Sequence, residues 1–189
     1  MKVLVIVAHP DLEKSKGNRR RVQELHRHPE IRVRQLYKEY PDFRIHVRKE
    51  QELLTEHDRI VLQFPFYWYT CPALLKKWFE DVLEHGWAYG PGGNHLADKP
   101  FILAITTGGS EKSYRAGDYN WGSVSEYIRP LQATITRCNG IFMPPFVLHG
   151  IRTASNSELD RDAEDYVEYI RSPYSGGQHG SVGIIANHS

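Results

Sequence analysis

The stretch from Arg59 to Val82 constrains the fold most, because the hydrophobic period changes inside it. Ile60, Val61, Leu62 and Phe64 form a short, nearly continuous apolar run, as expected for a parallel strand buried on both faces, and Pro65 ends it. From Pro72 onward Leu74, Leu75, Trp78, Phe79, Val82 and Leu83 recur at helical spacing, with Lys76, Lys77, Glu80, Asp81 and Glu84 between them. This pattern predicts an amphipathic helix with proline in its first turn. Phe66, Tyr67, Trp68, Tyr69 and Thr70 join the two elements. Open α/β sheets bind ligands at the carboxyl ends of their strands. Four consecutive aromatics there are either a hydrophobic cap or oligomer contact, or a platform for a flat conjugated ring.

A second element favours the platform. Pro100 to Ser110 reads as another buried strand that ends in Thr106, Thr107, Gly108 and Gly109, small residues that let a backbone approach a ligand closely. Both loops fall at the same edge of a parallel sheet. Near the amino terminus Lys2 to Ala8 is a strong first strand, followed by a loop from His9 through Pro10, Ser15, Lys16, Gly17 and Asn18, then a helix through Arg19, Val22 and Leu25. Strand, loop and helix in this order can hold a phosphate on the helix N-terminus. Ser15 and Asn18 also suit plain helix capping, and the two roles are compatible. Neither GxGxxG nor GxxxxGK[ST] is present, which disfavours a Rossmann dinucleotide fold and a P-loop ATPase. The basic run Lys14, Lys16, Arg19, Arg20 and Arg21 reads first as a solvated helix face; a phosphate or an acidic partner is the alternative.

These motifs carry a resemblance. Phe64-Pro65-x-x-Trp68-Tyr69-x-x-Pro72-Ala73-x-Leu75-Lys76, then Ala88-Tyr89-Gly90, then Thr106-Thr107-Gly108-Gly109-Ser110 with Tyr114, stand in the order and spacing of the flavodoxin-like NAD(P)H:quinone oxidoreductases. The chain resembles that family over residues 1 to 172, and within it the bacterial general stress protein and potassium-efflux ancillary types. The resemblance implies FMN as cofactor, with FAD disfavoured because the chain lacks the longer C-terminal region of the animal enzymes. It implies that His9, Ser15, Lys16, Gly17 and Asn18 hold the phosphate and ribityl chain. Pro65, Phe66, Tyr67, Trp68 and Tyr69 would wall the ring, with the Trp68 and Tyr69 amides toward N5 and O4. Thr106, Thr107, Gly108, Gly109 and Tyr114 would meet the N1 and O2 side. The implied activity is ping-pong, two-electron hydride transfer from NAD(P)H through FMN to quinones, in a homodimer, with Tyr114, Trp68, Tyr69 and Gly108 nearest the chemistry. A histidine that assists proton delivery in the animal enzymes has no counterpart in the loop after Tyr114; Asn120 stands in its place.

The rest of the chain completes an α/β pattern. Ile31 to Tyr37 alternates as a more exposed strand would, with Ile31, Val33 and Gln35 on one side and Arg32, Arg34 and Leu36 on the other. A short helix through Val47 to Leu54 follows. A glycine-rich loop, His85 to Leu96, is assigned to the pocket wall and subunit interface by the resemblance, and Trp87 and Tyr89 fit ordinary packing as well. A helix over 123–137 should kink at Pro130, Ile141 to Leu148 is a fifth strand interrupted by Pro144 and Pro145, and Leu159 to Ile170 is the last helix. Right-handed crossovers and the resemblance together imply one flavodoxin-like domain over 1–173: an open parallel five-stranded sheet of order 2-1-3-4-5 with helices on both faces. Residues 174–189 are small and polar, and a loosely ordered tail is expected.

Composition sets the remaining bounds. A net charge of +1 gives no argument for nucleic acid. Cys71 and Cys138 have no metal spacing, so free thiols in a reducing compartment are expected; with no apolar run of about 18 residues, the expected location is the cytoplasm. Two other functions fit the same fold. One is a regulatory ancillary subunit of a glutathione-gated potassium/proton antiporter, peripheral at the inner membrane through that partner. The other is a flavodoxin-like electron carrier, against which stand the aromatic loop and the near-neutral charge.

Overall fold

The computed structural model describes residues 1–173, so the expected tail over 174–189 lies outside the described residues. Apolar alternation across a buried sheet dictates its two layers. In β1 (Val3–Val7), Val3, Val5 and Val7 pack with Val61 of β3 (Arg59–Pro65) and Ala104 of β4 (Pro100–Thr106) beneath Val22, Leu25, Tyr166 and Val167. These last four come from α1 (Lys16–Leu25) and α7 (Asn156–Arg171), which cover this face. Leu4, Ile6, Ile60, Leu62, Leu103 and Ile105 point the other way, toward α3 (Val47–Glu56), α4 (Ala73–Val82) and α6 (Arg129–Arg137). Both faces are therefore dry, as the continuous apolar runs require.

The sheet is parallel throughout, with β2 (Ile31–Gln35), which runs into the short helix α2 (Leu36–Glu39), at one edge, and order β2-β1-β3-β4-β5 with β5 at Ile141–Phe142. Val7 pairs with Gln63, and Pro65 with Thr106, so the carboxyl ends of β1, β3 and β4 finish side by side. The fifth strand is divided, as Pro144 and Pro145 dictate, into β5 (Ile141–Phe142) and β6 (Phe146–Leu148). Both pieces pair with β4, and the second sets Thr106 opposite Leu148. The helix expected over 123–137 is two helices, α5 (Val124–Tyr127) and α6, separated at Ile128, with Pro130 in the first turn of α6. Pro72 is the N-cap of α4. Among the described residues, no helix is long and apolar enough to cross a membrane, and no His, Cys, Asp or Glu cluster could hold a metal.

Two buried charges depart from the sequence reading. Arg34, on the side of β2 that alternation shares with Leu36, is buried although the strand reads as a more exposed one, because Glu50 of α3 lies beneath it. Glu50 Oε1 accepts from Arg34 Nε (2.8 Å) and the Tyr40 hydroxyl (2.7 Å), and its Oε2 accepts from Trp78 Nε1 (3.0 Å). A buried carboxylate is tolerated only when its lone pairs are filled in this way. Burial, with the Glu50 carboxylate beside it, pushes the Tyr40 hydroxyl up to about 12. Arg21, counted within a solvated basic face, is fully buried. It donates from Nε (2.7 Å) and a terminal nitrogen (2.9 Å) to the two carboxylate oxygens of Asp162, between the rings of Phe146 and Tyr166. This bidentate pair fastens α1 to α7.

Candidate functional site

The first wall of the site is built on β1 and α1. Ser15 is extended at φ −82°, ψ 111° and caps α1, accepting from the Asn18 amide at 3.3 Å, so the capping role read from sequence is present. The N–H groups of Lys16 and Gly17, in the first turn, donate to no acceptor among the described residues. Such a turn carries partial positive charge and suits an anion. A Cβ on Gly17 would come within 2.6 Å of Ile151 Cδ1, so glycine lets α1 seat against the chain after β6. His9 is half-buried; burial holds its pKa below the ordinary histidine value, opposed by Asp11.

The second wall follows β3. The Phe66 amide donates to the Thr106 carbonyl (2.9 Å), and Tyr67 to Thr70 then form a tight turn closed by Thr70 N–H on the Tyr67 carbonyl (3.1 Å). Its central residues, Trp68 and Tyr69, have φ of +49° and +62°. Positive φ at both centres is the type I′ pattern, which favours Asn-Gly, so two aromatics there are strained. The turn leaves their amides without acceptors among the described residues, and it pushes the Trp68 side chain out to 90% exposure.

The third wall follows β4. Thr106 and Thr107 are buried. The chain after β6 braces this loop: the Thr107 amide donates to Leu148 (2.9 Å), Ile151 N–H to the Thr107 carbonyl (3.0 Å), and Gly150 N–H to the Gly109 carbonyl (2.8 Å). Gly108 and Gly109 keep free amides among the described residues. Neither glycine has room to spare: a Cβ on Gly109 would stand 2.6 Å from Ser113 Oγ, and one on Gly108 would stand 3.1 Å from Arg152 Nε.

The three walls are joined. Asn18 Nδ2 donates to Thr106 Oγ1 (2.9 Å), Gln63 Nε2 donates to the Asn18 carbonyl (3.1 Å), and the His9 and Tyr67 rings meet edge to face at 6.2 Å. Phe66 is the centre of an aromatic group with Tyr114 (5.9 Å) and Tyr127 (6.2 Å), while Tyr69 lies 4.8 Å from Tyr127. Tyr114 is half-buried, which pushes its hydroxyl above the ordinary tyrosine value, with the Thr107 hydroxyl opposing. Pro65 ends β3 beside Thr106. Every site residue singled out in the sequence therefore falls on this one edge.

Two residues beside the site, His149 and Arg152, escaped the sequence reading, and Asn120, which it named, has a role there that it did not foresee. Asn120 is buried and structural: its amide nitrogen donates to Ser113 Oγ (2.8 Å), and its carbonyl accepts from the Tyr127 hydroxyl. An imidazole reaches the same loop from after β6: His149 Nδ1 lies 3.1 Å from Thr107 Oγ1 and its ring 5.6 Å from that of Tyr114. Only strand pairing places it there, so no spacing rule could find it. Arg152 reaches over Gly108 from the same segment. Tyr119 and Trp121 are exposed on the loop that carries Asn120. Trp87 lies away from this edge, stacked on His95 at 5.2 Å beside a cavity of about 470 Å³ lined by Arg48, Gln51 and Thr55. A second cavity, of about 440 Å³, lies between Phe79, Tyr89 and Arg137. Both sit on helical flanks, whereas the chemistry-bearing groups face the loop edge.

The edge can take an anion at α1 and a flat ring between the second and third walls, with N–H donors on both sides of that ring. An FMN is such a molecule, and the unpaired amides and close-packed glycines fit it. Known proteins bear on the same point. A family model described as flavodoxin-like fold matches residues 1–170. The chain is 47% identical over 175 residues to YrkL, an uncharacterised NAD(P)H oxidoreductase of Bacillus subtilis, covering 92% of this chain and 100% of that one. It is 42% identical to KefG of Cronobacter sakazakii, an ancillary protein of a glutathione-regulated potassium-efflux system, over 93% of this chain and 96% of that one. The crystal structure of general stress protein 14 from Treponema denticola in complex with FMN matches with a TM-score of 0.87 and 38% identity, covering 90% and 98% of the two chains. Strand order, site geometry and relatives agree, and this chain belongs to the flavodoxin-like NAD(P)H:quinone oxidoreductase family.

Proposed function

We propose that this protein binds FMN on the three-loop edge and works as an NAD(P)H:quinone oxidoreductase by a ping-pong, two-electron route. The observation that carries the reading is the convergence on one sheet edge of three pairs of amides unpaired among the described residues, at Lys16 and Gly17, Trp68 and Tyr69, and Gly108 and Gly109. When bound, FMN supplies hydride acceptance from NAD(P)H and hydride donation to a quinone. The chain's own part is to bind, orient and polarise. The α1 N-terminus with Ser15, Lys16, Gly17 and Asn18, and His9 beside it, hold the phosphate end; FAD would need a place beyond this cradle for its second phosphate and adenosine.

Pro65 to Tyr69 form one wall of the ring site, and the strained turn aims the Trp68 and Tyr69 amides at it. Thr106 and Thr107 set the backbone of Gly108 and Gly109 against the opposite edge, where reduction builds negative charge that fixed N–H donors stabilise. Tyr114, packed on Phe66, keeps its proton through the working pH range and donates it as a hydrogen bond. Trp68, Tyr119 and Trp121 rim the edge and are exposed in the single chain, which suits closure by a second copy in a homodimer. Buried free thiols at Cys71 and Cys138 suit a reducing compartment, and we assign the protein to the cytoplasm.

The test is a visible spectrum of purified protein, then anaerobic NADH or NADPH, then a benzoquinone. Bleaching on the first addition and recovery on the second support the reading, and rates give the preferred nucleotide. Protein that holds no flavin and cannot be reconstituted with it refutes the reading. The likeness to KefG favours one second reading, a regulatory subunit of a potassium/proton antiporter. Under that reading the protein co-purifies with such an antiporter, and neither nucleotide bleaches the flavin without it.

A further inference from the structure

His149 stands against the candidate site without belonging to any of its three loops. It follows β6, and its Nδ1 is 3.1 Å from Thr107 Oγ1. The Thr107 hydroxyl already donates to the Gly109 carbonyl at 2.8 Å. With its hydrogen so engaged, Oγ1 offers His149 a lone pair, so Nδ1 carries the imidazole proton and Nε2 is the position that can gain one. The ring also packs at 5.6 Å and 48° on Tyr114. The other charged or titratable groups facing this place are Glu111, from the turn after Ser110, and Arg152, over Gly108. Asn120, whose amide does not titrate, is committed to Ser113.

We propose that His149 is a positioning residue that couples the ring site to protons: neutral, it aligns Thr107 and the Gly108–Gly109 turn, and protonated at Nε2 it sets a cation beside the edge that becomes negative on reduction. The inference rests on the FMN reading above. The balance calls for one proton besides the hydride, and His149 is placed to hold it. NAD(P)H gives up a hydride, which is two electrons and one hydrogen, and becomes NAD(P)⁺; the hydroquinone product needs that hydride and one further proton. His149 takes up a proton from solvent when the site is reduced and gives it up when the site is reoxidised, so that a proton is held beside the site between the two half-reactions. Its resting state suits the role, because burial holds its pKa below the ordinary histidine value, opposed by Glu111.

The test is the midpoint potential of the FMN-loaded protein against pH, for the native chain, His149→Gln and His149→Leu. Glutamine keeps an N–H for Thr107 but cannot titrate, and leucine removes both. For a two-electron couple, one extra proton taken up changes the potential by about 30 mV per pH unit. Between about pH 5 and 7, where histidine titrates, the native slope should be steeper than that of either variant by about this amount. Parallel curves overturn the proposal while leaving the FMN reading intact; protein that holds no flavin overturns both. Should the variants not fold, nitrogen-15 NMR of the native protein decides. His149 should carry its proton on Nδ1 when oxidised and titrate at higher pH when reduced, and a titration unmoved by reduction overturns the proposal.

Discussion

Asn18 Nδ2 donates to Thr106 Oγ1 at 2.9 Å, across 88 residues of sequence, so the first turn of α1 and the Thr-Thr-Gly-Gly loop are one unit. The same Asn18 accepts from Gln63 Nε2 through its carbonyl, at 3.1 Å. Asn18→Ala removes the first bond and leaves the buried Thr106 hydroxyl without its donor. The expected loss is about 1–3 kcal/mol of unfolding free energy, by urea titration. FMN affinity should fall by about tenfold or more by fluorescence quenching, because two walls then move independently. An unchanged affinity would separate Asn18 from the cradle.

Gly109 has no room for a side chain. A Cβ there meets Ser113 Oγ at 2.6 Å and Asn120 Nδ2 at 3.2 Å, both part of the clasp that folds the loop carrying Tyr114. Gly109→Ala should therefore displace that loop more than it unfolds the protein. The expected outcome is a thermal midpoint lowered by a few degrees, about 1 kcal/mol, with kcat/KM for NAD(P)H and quinone down by about a hundredfold. Steady-state kinetics beside a thermal scan check the split.

The Arg21–Asp162 pair separates charge burial from packing. Asp162→Ala strands a fully buried guanidinium, which should cost about 3–5 kcal/mol by urea titration. Arg21→Met with Asp162→Leu removes both charges and should recover most of that loss. If the single and double variants lose equally, the pair contributes through shape and not through charge.

What the sequence disclosed and what it withheld divide along range. Apolar periodicity marked the strands and major helices, because burial on both faces leaves a local trace at Ile60 to Phe64 and Phe101 to Ile105. The three loops were legible because glycines, threonines and aromatics sit where those runs stop. Arg21 was misplaced because its partner, Asp162, makes burial tolerable only in three dimensions, and the burial of Arg34 over Glu50 left no local trace for the same reason. His149 was invisible for the same reason, since the register of β6 against β4 puts it beside Thr107. The turn at Trp68 and Tyr69 could not be typed, because neither asparagine nor glycine announces it.

Stability should depend on pH through two histidines. His9 and His149 both sit below their ordinary value of 6.5, with burial the larger cause in each. Above that value the imidazoles are neutral in both states and contribute nothing to the pH dependence. As pH falls through it the unfolded chain binds protons first, so stability declines, and the decline from these groups stops below the folded values. Urea midpoints should thus rise from about pH 5 to about pH 7, and His149→Gln should remove a share of the slope. A flat or opposite trend from these groups would mean that neither imidazole is buried in neutral form.

Trp68 offers the sharpest test, because turn strain and ligand binding predict opposite signs. Its side chain is 90% exposed, so substitution gives up little packing, yet its φ of +49° suits asparagine better. Trp68→Asn should stabilise the flavin-free protein by about 0.5–1 kcal/mol, raising the thermal midpoint by about 2–4 °C. The same change deletes an aromatic from the ring wall, and FMN affinity should fall by about tenfold, about the contribution of one aromatic contact. Gain in the first measurement with loss in the second would show that the strained turn is kept for what it holds. Stabilisation without loss of affinity would leave Trp68 to the proposed contact with a second copy, and sedimentation would then show the variant less associated than the native chain.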